Sequence, residues 1–178
     1  MPDSIGNAVP DNFVGLSFEA SRIGDTVQFS TTDSGLGLLF NEIGPGVMRI
    51  GGNSLDINGP NVLDTARYSR FFDFVKKTGW KLQMGLGLGT FDTVGAADVA
   101  SFTSANLGGA LLSYEVGNEA DQYSSNGLRP STWGLADYET ALRSIHGGSP
   151  IARAIRCVFR SRHRQSLPFV LDSPVRGV

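Results

Sequence analysis

The sequence predicts an α/β fold, a partial (β/α)8 barrel (TIM barrel) made of the first four βα units, with an irregular Arg-rich C-terminal tail. Three observations predict it. Short apolar runs alternate with segments of helical periodicity, the order that builds a parallel sheet with crossover helices. Glycines cluster behind those runs, at Gly51-Gly52, Gly85, Gly87, Gly89 and Gly117, as strand-to-loop punctuation. Polar residues Glu19, Asn53 and Asn118-Glu119 stand at the carboxyl ends of the runs, where barrel sites gather. A doubly wound open sheet shares the alternation, and the third observation favours the barrel. Four units in about 135 residues fit half of a barrel of ~250 residues.

Phe13-Val14-Gly15-Leu16-Ser17-Phe18-Glu19 reads as the first strand. Asp33 to Ile43 reads as a helix, with Leu36, Leu39, Phe40 and Ile43 at helical spacing and Gly44-Pro45 as the stop. Val47-Met48-Arg49-Ile50 is the second strand, closed by Gly51-Gly52-Asn53. Tyr68 to Thr78 is the second helix, with Phe71, Phe72 and Val75 on one face and Gly79 at its end. Lys81 to Leu88 is the third strand, Val94 to Asn106 holds a third helix, Leu111 to Val116 is the fourth strand, and Leu135 to Ile145 is a fourth helix.

The pattern then changes. Arg153, Arg156, Arg160, Arg162 and Arg164 follow one another with no acidic partner, and no strand–helix alternation resumes. Residues 10–148 are therefore expected to be the barrel half and 149–178 a basic tail. The tail reads either as an arm for an acidic partner or as a segment outside the native fold, such as a shifted reading frame. The second reading is preferred, because it also accounts for the missing fifth unit.

Composition narrows the function. The chain has 178 residues, 40% hydrophobic and 18% charged, with net charge −2, enough for one globular core and no global case for a nucleic-acid or membrane partner. One cysteine, Cys157, excludes an internal disulfide and a cysteine metal cluster, and two histidines make a His-rich metal site improbable. No cofactor is expected. No apolar run reaches the ~18 residues of a membrane span. Met1-Pro2-Asp3 lacks the features of a secretory signal, as in a cytosolic protein or a secreted one without its leader.

The chemistry concentrates in Ser113-Tyr114-Glu115-Val116-Gly117-Asn118-Glu119. An apolar strand ending in Asn-Glu is what a sugar-cleaving barrel needs after its fourth strand: the Glu as general acid, the Asn beside it for a sugar hydroxyl. Retaining hydrolysis requires a second carboxyl ~5–5.5 Å away. Glu115 shares a strand face with Glu119 but lies ~13 Å along the strand, too far for that pair. An ion pair with Arg49 is the better reading of Glu115. Gly51-Gly52-Asn53 lacks the surroundings of a phosphate loop, and Gly85, Gly87 and Gly89 read as close packing within strand three. Trp80, after a helix-ending Gly, reads as core. Trp133, in a polar loop after strand four, is the better placed tryptophan for stacking on a sugar.

With these residues in hand, the segment from about Pro10 to Ile145 resembles the first half of the catalytic barrel of glycoside hydrolase family 79, the β-glucuronidase and heparanase group. The matching pieces are Phe13 to Glu19, Arg49-Ile50-Gly51-Gly52-Asn53-Ser54 and Tyr114-Glu115-Val116-Gly117-Asn118-Glu119. The third piece is shared by many barrel glycosidases; the order and spacing of all three are more specific. The resemblance implies a retaining, extracellular hydrolase of β-glucuronides or related glycosides. It implies Glu119 as acid/base, Asn118 near the sugar 2-hydroxyl, and Glu19 and Asn53 lining the sugar subsite. The family's nucleophile is a Glu on strand seven, and no Glu follows Glu139 here; the one later acid is Asp172. The chain is thus expected to be a truncated, inactive form, or alternatively a non-catalytic paralogue that binds carbohydrate weakly. Four parallel strands also leave two open edges, so self-association is expected.

Overall fold

Burial on one side of each strand and helices on that side dictate the architecture. The computed structural model describes residues 9–32, 35–57, 63–90 and 92–146; segment 149–178 lies outside them. In chain order the elements are β1 (Val14–Glu19), α1 (Gly35–Ile43), β2 (Gly46–Gly51), α2 (Ser54–Ile57), α3 (Thr65–Thr78), β3 (Lys81–Leu86), α4 (Thr93–Leu107), β4 (Leu111–Val116) and α5 (Leu135–His146). The four strands form one parallel sheet in the order β1-β2-β3-β4. This is a mixed α/β fold. Among the described strands the order never reverses, as it would at the switch point of a doubly wound sheet.

Strand alternation separates two faces. Phe18, Ile50, Met84 and Tyr114 pair across the sheet in one row. Together with Met48, Leu82 and Val116 they build the core against the helices. α1 contributes Phe40, which stacks on Trp80 at 4.1 Å. α3 contributes Phe71, Phe72, Phe74 and Val75. Phe29 meets Phe71 edge-on at 4.9 Å and Phe18 at 5.4 Å, the geometry that ring quadrupoles favour. α4 is seated through Tyr114, whose hydroxyl donates to the Ala100 carbonyl at 2.6 Å. Each large apolar side chain buried here contributes about 1.5–3 kcal/mol.

Local chemistry sets the helix ends. Asp64 caps α3 by accepting from the Arg67 amide at 3.0 Å, so that helix starts at Thr65, three residues before the sequence reading. Asp92 caps α4 through the amides of Val94 and Gly95. Gly79 closes α3 at φ 72°, as expected, and Gly44, at φ 86°, follows α1 before Pro45. Asp33, expected to open α1, lies outside the described residues.

One expectation needs correction, and one helix was not foreseen. Strand three ends at Leu86, not Leu88, so Gly87 and Gly89 lie beyond it: the amides of Leu88 and Gly89 leave the ladder and donate to the Asp56 carboxylate. The close-packing role stands, since a Cβ on Gly85 would meet the Ile50 carbonyl at 2.6 Å and one on Gly89 would meet Asp56 at 2.7 Å. The unforeseen element is α2, a four-residue helix too short to leave a periodic signature.

Candidate active site at the carboxyl ends of the strands

The sheet face opposite the core is polar, and Arg49 organises it. Ser17, Arg49, Gln83 and Ser113 form one cross-strand row. Arg49 Nε donates to Glu115 Oε2 at 2.6 Å and Nη2 to Glu115 Oε1 at 2.5 Å, the bidentate ion pair expected from the sequence. Nη1 reaches Ser17 Oγ at 2.9 Å and Nη2 also reaches Asn118 Oδ1 at 3.1 Å. Gln83 Nε2 adds a 3.0 Å bond to Glu115 Oε2. Glu115 is only 4% exposed, so its charge depends on these donors. The pKa of Arg49 is raised, first by its hydrogen bond to Glu115 and further by the charges of Glu115, Glu19 and Glu119, against an opposing effect of burial.

Four of the five residues singled out in the sequence meet around this pair. Asn118 follows β4; its Oδ1 accepts from Arg49 and its Nδ2 donates to Asn53 Oδ1 at 3.1 Å. Glu19 ends β1 and accepts from the Ser54 hydroxyl at 2.6 Å and the Ser54 amide at 3.0 Å. Its pKa is lowered, chiefly by the Ser54 hydroxyl. Glu119 is exposed and sits at φ 52°, ψ 49°, the one non-glycine residue with positive φ among those described. A left-handed residue with a Cβ is strained by about 1 kcal/mol or more and is held there by its surroundings.

Trp133 is placed differently. It is half-buried, its indole N–H donates to the Ala120 carbonyl at 2.9 Å, the Arg129 guanidinium lies 4.9 Å from its ring centre, and Tyr123 packs at 5.8 Å. It braces the loop after Glu119, and Arg129 occupies one ring face. Trp80 is core, as expected.

Sequence reasoning missed Asp56, which is 2% exposed and receives three backbone amides beneath the site. A single Asp two residues after Asn53-Ser54 carries no signal of burial, because α2 alone turns it inward. Tyr123, also missed, lies fully buried with its hydroxyl against Gly117; burial, then the charge of Asp56, drives its pKa far above the usual value.

The resulting surface offers amide and carboxylate groups for hydroxyl recognition, one exposed carboxyl on a strained backbone, and one neutralised arginine. Among the described residues no group of three or more His, Cys, Asp and Glu is arranged to hold a metal ion, and no helix is long and apolar enough to cross a membrane. No protein-family model and no curated protein matches the chain.

Proposed function

We propose that these four βα units are the acid-bearing half of a (β/α)8 glycoside hydrolase site, retaining and β-glucuronidase-like, with Glu119 as the general acid/base. The observation that carries this reading is the convergence of Glu19, Asn53 and Asn118 on the Arg49–Glu115 pair, beside an exposed, left-handed Glu119. The unreversed strand order supports the barrel. Asn118 and Asn53 hold sugar hydroxyls, Glu19 lines the same subsite, and Glu119 protonates the glycosidic oxygen. Trp133, braced by Arg129 and Tyr123, lines the loop beside the acid, where its exposed part can meet the sugar.

A second reading, carbohydrate binding without cleavage, is favoured by one observation: among the described residues Glu115, the buried carboxylate on the strand that leads to the acid, is held bidentately by Arg49. Since the members of a two-carboxylate machine act as a unit, and Glu115 is tied to Arg49, these four units by themselves should give no detectable turnover. Azide or formate supplies an external nucleophile. Either should restore cleavage of an activated aryl β-glucuronide, and Glu119→Ala should abolish the proton-assisted cleavage of poor leaving groups. Turnover without added nucleophile that survives Glu119→Ala would refute the assignment. Rescue on β-glucosides but not on β-glucuronides would refute the substrate class alone.

A further inference from the structure

We infer that Asp56 is a positioning residue, a buried carboxylate that sets the backbone of Asn118 and Glu119; its catalytic consequence rests on the acid role proposed for Glu119. Asp56 Oδ1 accepts from the amides of Leu88 at 2.8 Å and Gly89 at 3.0 Å, and Oδ2 accepts from the amide of Asn118 at 2.7 Å. One side chain following β2 thereby ties down the chain leaving β3 and β4. The Asn118 amide belongs to the Gly117–Asn118 peptide, one residue before the strained Glu119, so this bond fixes the backbone leading into the left-handed residue.

The arrangement requires acceptors at both side-chain oxygens. Asparagine has the same shape but one acceptor and one donor. With its oxygen kept on Leu88 and Gly89, its amide would face the Asn118 N–H, two donors opposed in a buried place. The Asn118 peptide must then shift, and the strain at Glu119 relaxes with it. A loss of acid placement differs from general damage: it weakens only reactions that need the proton.

The isotope-labelled 178-residue chain tests the contact without substitution. Through-hydrogen-bond couplings should connect the amides of Leu88, Gly89 and Asn118 to the Asp56 carboxyl carbon. Asp56→Asn should then speed amide exchange at Asn118 by about tenfold or more relative to Leu88 and Gly89. In azide-rescued cleavage it should slow a poor leaving group by ~100-fold and a dinitrophenyl leaving group by less than about threefold, because the latter leaves without a proton. Absence of the Asn118 coupling, or equal loss on both leaving groups, overturns the inference. If the unsubstituted chain shows no rescued cleavage of any glycoside, the acid role of Glu119 fails and the catalytic consequence with it; the couplings still decide whether Asp56 holds Asn118.

Discussion

Glu19 joins the ends of two strands through one carboxylate. Ser54, just past β2, donates both its hydroxyl and its amide to it, and Gly52 at φ 79° leaves the space that a Cβ would take from the carboxylate. Those donors favour the ionised form, which lowers the pKa of Glu19. A depressed folded-state pKa stabilises the fold above the unfolded value of about 4.3, and that contribution is lost as pH falls through the folded value. Glu19 is largely solvated, so the contribution to stability is small. Ser54→Ala should raise the Glu19 pKa toward the ordinary carboxylate range and flatten this part of the acid limb. A carbon-detected titration of the Glu19 carboxyl checks it; an unchanged midpoint would show that the Ser54 hydroxyl does not hold the charge.

Across β1 to β4 the polar row works as one network. Glu115 is buried, whereas the Arg49 side chain keeps 29% of its exposure, so the pair is desolvated from one side. Removing Arg49 strands an acidic charge, while removing both charges need not cost stability. Arg49→Ala should destabilise by about 3 kcal/mol, the low end for a buried pair, because solvent still reaches the site. Pairing Arg49→Met with Glu115→Leu should recover much of that loss. Urea denaturation of the single and double variants measures both; equal stability of Arg49→Ala and the unsubstituted chain would mean that Gln83 and solvent suffice for Glu115.

For the molecule as a whole, the unsatisfied feature is the pair of sheet edges. Among the described residues β1 and β4 each have one neighbour, and Phe13, 74% exposed, lies beside β1 with Val14, while Leu112 is exposed on β4. Open parallel edges with apolar side chains promote pairing between chains. A second half-sheet would give each edge a partner and cover the polar face. The 178-residue chain should therefore self-associate, with sedimentation showing dimers or larger species whose population rises with concentration. A monomer with one cooperative thermal transition would contradict this.

Periodicity and punctuation are local properties, and they made most of this fold legible. Among the described residues all four strands, four of the five α-helices, the stops at Gly44 and Gly79 and the core role of Trp80 follow from spacing and turn chemistry read in one dimension. The Arg49–Glu115 pair was legible too, because two opposite charges on inward strand positions need each other. What separated the sequence from the site was burial and backbone direction, which depend on distant segments. Asp56 is an unremarkable acid until α2 folds beneath the strand ends and three amides from the segments that follow β3 and β4 converge on it. The left-handed turn at Glu119 and the Arg129 guanidinium against Trp133 likewise exist only once the loops are packed. The sequence by itself determined which elements form and which polar residues reach the strand ends. Tertiary structure alone decided which of them are buried, bonded or free, because a hydrogen bond between residues 62 positions apart, as from Asn118 to Asp56, leaves no periodic trace in the chain.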